Sequence, residues 1–524
     1  MPLPLTGVML FAPAAGVIAL CLVPETRHAL IRRIALLATG LSLAAALLAL
    51  TTYRTATGGY QHEILLPWIT TPRIGFHLGI DGISAVLALL HALCAVTGVL
   101  ISYAITDRVK EYYIFYLLLI TGVFGVFLSL DAFFFYCFYE MAVIPMYPLI
   151  GIWGSDVKEQ GRVRFSKEYA TMKLTIYLTL GAVVALTGLL WLYVGAGIRS
   201  FDLVELQRHF MEAPLDVSLQ RWIFPLLAIG FGVIAPIWPL HSWSPIGHAA
   251  APSAVSMLHA GVLMKLGSYA IIRIALSLLP EGAQTWMPWI AALCVMNILY
   301  GGFVAMAQKD LKLIIGYSSS SHMGYVLLGI AALTPIGLDG AVLLMFAHGL
   351  MTALAFALVG HVYDQTHTRY LPDLGGLAHR MPFIATCGVI AAMASSGLPG
   401  FANFVAELLV FLGGWNRYPV AVICGVFGVV ITAVYMLRLL RGTFFGESKP
   451  AFAHVHDARS PFARFPYILL IIALVAVGCW PRSILRMIDA SARPLVEPFG
   501  HHLSRALNAD DAGNVPPASE PGIR

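Results

Sequence analysis

Apolar runs of about twenty residues recur from one end of this chain to the other, separated by short polar connections. A bilayer core takes roughly 20 residues of helix, so each run has the length of one crossing. Fourteen are legible, centred near residues 14, 41, 92, 121, 142, 181, 231, 267, 296, 321, 348, 399, 429 and 474. They are too long and continuous for barrel strands, so the predicted fold class is an all-α polytopic membrane protein of about 14 transmembrane helices. Two runs are interrupted. The seventh, "FPLLAIGFGVIAPIWPLHSW", holds Pro236 and Pro239, and the twelfth, "ATCGVIAAMASSGLPGFANFVAELLVFLGGW", holds Gly397, Pro399 and Gly400. Pro removes a backbone donor and Gly relaxes φ, so both helices are predicted to break there. Broken helices about five spans apart are a signature of inverted-repeat transporters; two ordinary kinks are the plainer alternative.

Composition agrees. The 524 residues are 59% hydrophobic and 11% charged, with a mean hydropathy of +0.81, against about a quarter charged in soluble domains. A formal charge of +5 is small for the length and does not suggest a nucleic-acid partner. Its distribution says more. Connections after odd-numbered spans carry about 18 Lys and Arg, those after even-numbered spans about 6, which predicts both termini on the outer (periplasmic) side. The amino-terminal run lacks a basic leader and a small-residue cleavage site, and reads as a retained span. The polar, Pro-rich stretch after Val496 reads as a disordered tail.

Seven cysteines lie scattered, without a C-x-x-C pair, and read as buried apolar residues. There is no Walker loop, and "GAGIRS" at Gly195 lacks the third glycine of a dinucleotide fingerprint. The chain is therefore expected to bind no nucleotide, metal or redox cofactor.

Candidate chemistry rests on ionisable residues inside spans, each costing about 2.5–3.5 kcal/mol at mid-membrane on insertion scales. They are Glu140 in the fifth span, Lys173 a turn inside the sixth, Lys265 in the eighth and Glu407 in the twelfth, beyond the break. His91, His241, His259, His322 and His348 add neutral titratable groups in or near the third, seventh, eighth, tenth and eleventh. Each has a bland account: a static Glu140–Lys265 pair, a Lys173 that snorkels to the inner surface, histidines hydrogen-bonded in a core. So many costly groups on adjacent helices point instead to a proton path.

Five stretches carry a resemblance: "FYEMAVIPMYPLIGIWG", "PLHSWSPIGHAAAPSAVSMLHAGVLMKLGSY", "QKDLKLIIGYSSSSHMGYVLLGI", "FAHGLMTALAFALVGHVYD" and "GLPGFANFVAELLVFLGGW". Over about residues 80–445 the chain resembles the antiporter-like, proton-pumping subunits of respiratory complex I (NADH–quinone oxidoreductase), most closely the M type. The resemblance implies two inverted five-helix repeats, helices 4–8 (residues 111–282) and 9–13 (residues 283–445). Helices 1–3 (residues 1–110) precede them; an inner loop with helix 14 (residues 446–495) and the tail (residues 496–524) follow. It implies a proton path through Glu140, Lys265, His322, His348 and Glu407, to which Lys173 and His241 are added as ionisable groups in or near neighbouring spans. It also implies L- and N-type and small membrane subunits as partners in a bacterial inner membrane, with FMN, iron–sulfur clusters and quinone in other subunits. The alternative is a subunit of a membrane-bound hydrogenase or a multi-subunit cation/proton antiporter; a scaffold with a decayed channel is a third reading.

The chain departs from the family pattern at Ile234, where the seventh helix of the family carries a lysine, the usual partner of the Glu140 position. With no cation there, Glu140 is expected either to pair with Lys173 or to stay protonated for much of the cycle.

Overall fold

The computed structural model describes residues 4–513. Thirteen of the fourteen expected centres fall inside a helix, and the other, residue 399, falls in the break of the twelfth span. Among the described residues, twelve helices are long and apolar enough to cross a membrane. The tenth span, Leu311–Ala331, is long enough but diluted by Lys312, His322 and the Ser318–Ser321 run. The twelfth is divided into Pro382–Ser395 and Ala402–Gly414.

Burial places the axis of the bundle. The most apolar stretches of the third (Gly82–Ile101), eighth (Ser253–Leu276) and eleventh (Pro335–Thr366) spans are wholly buried, against 28% for the fourteenth (Pro461–Cys479). Peripheral helices expose large apolar side chains such as Ile18, Leu37, Leu180, Val194 and Val430, the pattern of a surface meeting lipid. Small residues set the central spacing: a Cβ on Gly349 of the eleventh span would stand 2.6 Å from the Gly261 carbonyl of the eighth. The two backbones touch there, as small residues allow in membrane helix crossings.

Both predicted breaks are present. The seventh span ends at Ile234, and the chain passes unwound through Pro236 and Pro239 before Trp243–Ala250. Its freed backbone is met by Asn297 of the ninth span (Pro280–Ala307), whose amide oxygen accepts from the Trp238 N–H. The Asn297 Nδ2 donates to the carbonyls of Pro236, at 2.9 Å, and Ser320, at 3.0 Å. In the twelfth span Gly397 and Gly400 have φ of +64° and +99°, a region costly for any other residue.

Several elements were not legible in the sequence, among them a small hairpin of Val157–Glu159 with Arg162–Phe165 after the fifth span. Strands β1 (Gln61–Thr70) and β2 (Arg73–Ile80) form an antiparallel hairpin after the second span. It is pinned where Asp131, the N-cap of the fifth span, accepts from the Gly75 N–H at 3.1 Å. A short helix, Leu203–Glu212, follows the sixth span. The tail after Val496 is a correction: the helix Arg482–Gly513 continues through residues expected to be disordered, and the rest of the tail lies outside the described residues. Ile484, Met487, Ile488, Ala492 and Val496 are buried along one face, and Ser491 accepts from the Gly82 N–H at 2.8 Å. Phe499 carries the same buried stripe past Val496 at helical spacing.

His77 on β2 lies between two carboxylates, 2.6 Å from Asp202 and 3.1 Å from Glu63. Burial opposes the imidazolium, but the hydrogen bonds and charges of Asp202 and Glu63 outweigh it and hold His77 above the ordinary imidazole range. The clamp is therefore full below about pH 6.5 and is lost as pH rises through the raised value. Amide exchange in β2 should quicken severalfold between pH 6 and pH 9 beyond its intrinsic increase, and His77→Gln should remove that extra rise. An unchanged profile in the variant would show that the clamp contributes nothing.

Candidate functional site

The buried groups of the second half converge on one line. Lys265 is fully buried in the eighth span, in a stretch (Met264–Ala270) between two π-helical segments, His259–Leu263 and Ile271–Leu276. Wide turns of this kind are frequent at functional sites. The Lys265 ammonium donates to the Ala260 carbonyl and, at 2.8 Å, to His348 Nδ1 of the eleventh span. The neighbouring Gly261–Gly349 crossing makes that reach possible. The His348 ring stacks on His322 of the tenth span, with centroids 5.0 Å apart and planes at 27°. Beyond it, His322 Nε2 stands 3.7 Å from the Glu407 carboxylate of the twelfth.

The hydrogen bonds constrain where protons sit. A lysine ammonium has only donors, so His348 Nδ1 is the acceptor and its proton lies on Nε2. His322 Nδ1 faces the Ser318 carbonyl at 2.8 Å and must carry a proton. Its Nε2 faces two oxygens, Ser395 O at 3.3 Å and Glu407 Oε1. Two acceptors meeting a lone pair would repel, so either His322 is an imidazolium or Glu407 holds the proton. The pair therefore shares one proton between two stable placements. Gly397 completes the end of the line: a Cβ there would stand 2.6 Å from Glu407 Oε2.

Five expected residues, His259 among them, do not join this line. Glu140 is half-buried in the fifth span and forms no ion pair among the described residues. The expected Glu140–Lys173 pair is corrected: the Lys173 ammonium lies instead over the rings of Tyr169 and Tyr177, 5.9 Å from each. Both tyrosines are on Lys173's own helix, within one turn, and hold the cation there. A static Glu140–Lys265 pair is absent as well. Buried His241 packs against Tyr300 at 5.3 Å, beside the seventh break. His91 faces the Ile120 carbonyl at 3.0 Å, the core role that the bland reading gives a lone histidine. Ile234 is fully buried against Gly267 of the eighth span, where a Cβ would stand 2.5 Å from its side chain.

A profile of the family described as "NADH:quinone oxidoreductase/Mrp antiporter, TM" matches residues 129–432, which hold every site residue named above except His91. The NADH-quinone oxidoreductase subunit M of Rickettsia prowazekii is 32% identical over 95% of this chain and 99% of its own length. The chain belongs to this family. A chain of respiratory complex I from Thermus thermophilus superposes with a TM-score of 0.83 at 28% identity, covering 94% of this chain and 99% of that one. A chain of the Mrp complex from Dietzia shares the fold at 22% identity, with a TM-score of 0.81 over 95% of this chain and 98% of that one. Members of the family are membrane subunits of larger assemblies, and this chain is a multi-pass membrane protein of that kind.

Sequence reasoning missed two parts of the site. His248 is fully buried and its ring lies 3.9 Å from that of His259; the signal was its place seven residues after His241, past the break. Lys312 is buried at the second position of the tenth span, but so close to a helix end it reads as a snorkelling surface lysine.

Proposed function

We propose that the chain is the M-type membrane subunit of a proton-translocating NADH–quinone oxidoreductase, and that it moves protons between buried side chains while partner subunits carry out electron transfer. One observation carries the reading: Lys265, His348, His322 and Glu407 form a continuous line across four helices, ending at the break of the twelfth. Each group can hold or release a proton, and each is near enough to the next to feel its charge. In this reading the chain has no redox centre of its own. FMN, iron–sulfur clusters and quinone belong to partner subunits, and L- and N-type and small membrane chains flank it in a bacterial inner membrane. The excess of Lys and Arg after odd-numbered spans puts both termini outside. The deciding experiment isolates the complex in mild detergent and follows proton uptake by inside-out vesicles during NADH oxidation. Peripheral flavin and iron–sulfur chains with NADH-driven uptake are expected. Small antiporter subunits, with sodium-dependent proton movement and no NADH activity, would favour the Mrp type that the family also includes.

Glu140 is the point where a neighbouring subunit would act. It lies half-buried with Ile144 and Tyr147, 65% and 49% exposed, on the same segment, and Ile234 removes the cation expected within the chain. A countercharge for Glu140 must then come from outside it. Glu140→Gln keeps the shape and removes the charge. Assembly should be unchanged on a native gel, while coupled pumping falls roughly tenfold or more, since positioned proton-transfer groups contribute about 10²–10⁴-fold. Normal pumping by the assembled variant would exclude the role.

A further inference from the structure

A second buried lysine has no function in this line. Lys312 is 3% exposed, and its ammonium donates at 2.6 Å to the Ala251 carbonyl. Among the described residues no carboxylate lies within 4.0 Å of it. A buried, unpaired ammonium is costly, and here it borders a cavity of about 140 Å³, large enough for several waters. Ser155, Pro252, Ser253 and Asp364 also line the cavity, and Ala104 lies at its exposed rim. These residues come from connections after odd-numbered spans or from helix ends beside them, so the cavity opens on the face rich in Lys and Arg.

From this cavity polar groups lead inward. Ser256 donates to the His248 carbonyl at 2.9 Å and also approaches the Ala251 carbonyl, at 3.4 Å, that Lys312 holds. The His248 ring lies 3.9 Å from that of His259, tilted by 41°. His248 Nδ1 and both ring nitrogens of His259 are buried without a hydrogen-bond partner, and such atoms are normally satisfied by water. His259 opens the π-helical segment that precedes Lys265.

We propose that this cavity is the inlet through which the chain takes up protons from the inner side, with Lys312 as its first buried proton carrier. The neutral amine takes a proton from cavity water. The resulting ammonium gives it up again, through water along His248 and His259, to refill Lys265. The proposal deepens the reading of Lys265 as the cation of the relay and rests on it. A competing role is structural: a lysine on the carbonyl just past Trp243–Ala250 can simply cap that helix.

Lys312→Met, Lys312→Arg and Lys265→Met, each in the complete complex in inside-out vesicles, separate these possibilities. Arginine keeps the charge and the carbonyl bond but does not deprotonate in proteins. Coupled pumping should fall about tenfold or more in both Lys312 variants, given the usual weight of a positioned proton-transfer group. Normal pumping in Lys312→Met, or restoration by Lys312→Arg, overturns the inlet and leaves a helix cap. If Lys265→Met also pumps normally, the underlying reading fails, and not only its inlet. Should the Lys312 variants not assemble, Ala104→Cys decides. A bulky, membrane-impermeant thiol reagent applied to the inner face should lower pumping relative to the same vesicles before treatment, with the unsubstituted complex as control. No change, or inhibition only from the opposite face, overturns the proposal.

Discussion

Lys265→Met should abolish coupled proton pumping and leave the protein at least as stable as before. Methionine matches the unbranched lysine stem, so the tight packing of the eighth span against the eleventh is kept. What goes is a fully buried ammonium held by the Ala260 carbonyl and His348 Nδ1, with no carboxylate partner among the described residues. Burying an ammonium without a countercharge is unfavourable, so its removal should not lower the melting temperature of the isolated subunit or complex. The His348 nitrogen left without its donor offsets part of that gain, by about 1–3 kcal/mol. Pumping should fall by roughly 10² or more, and Lys265→Arg should not restore it. The opposite signs for stability and function are the test. A variant that loses both equally would mark Lys265 as a packing residue, and one that pumps normally would remove it from the path.

Much of the architecture was legible because lipid enforces it. A helix that must satisfy all its own backbone groups shows as an uninterrupted apolar run, so thirteen expected centres fell within helices. The breaks were legible from Pro236, Pro239 and the Gly397–Gly400 stretch for the same reason. Elements outside the apolar core obey no such rule. The β1–β2 hairpin carries Leu65, Leu66 and Trp68 exposed, and nothing in its alternation distinguishes it from a loop between two spans. The helix Arg482–Gly513 hid its apolar stripe among arginines and a proline.

The site divides in the same way. Lys265, His322, His348 and Glu407 stood out because each is costly where the sequence puts it, and a single cost was enough to mark them. Their meeting in space depends on Gly261, Gly349 and Gly397, which sequence alone cannot weigh, since a glycine shows only the space it leaves. Asn297 is the plainest case of the unreadable remainder. It sustains the seventh break from another helix, through two hydrogen bonds to the break's backbone and a third to the Ser320 carbonyl of the tenth span, and no local pattern announces it. The Glu140–Lys173 pair failed for a related reason. Chain adjacency of helices five and six said nothing about side-chain direction, and two tyrosines on Lys173's own helix supplied a nearer resting place.

Glu407 should respond to the position of its carboxylate and not to its volume. It is 4% exposed, 3.7 Å from His322 and in contact range of Gly397. Glu407→Asp keeps the carboxyl but withdraws it by one methylene, a gap that a water molecule can span. Glu407→Ala removes the acceptor and leaves His322 Nε2 facing only the Ser395 carbonyl. Pumping should therefore fall moderately in the first and roughly 10²-fold in the second, with both complexes assembled. Gly397→Ala provides the converse: the carboxylate is intact, but a methyl group would occupy its place at a φ of +64°. Backbone strain of about 1–2 kcal/mol should be resolved by pushing Glu407 away from His322. A misplacement near 1 Å can cost about 10²-fold, so Gly397→Ala should resemble Glu407→Ala in pumping more than Glu407→Asp does. Equal losses in the Asp and Ala variants would instead point to packing, and normal pumping by Gly397→Ala would show that the carboxylate does not act from the place where the fold holds it.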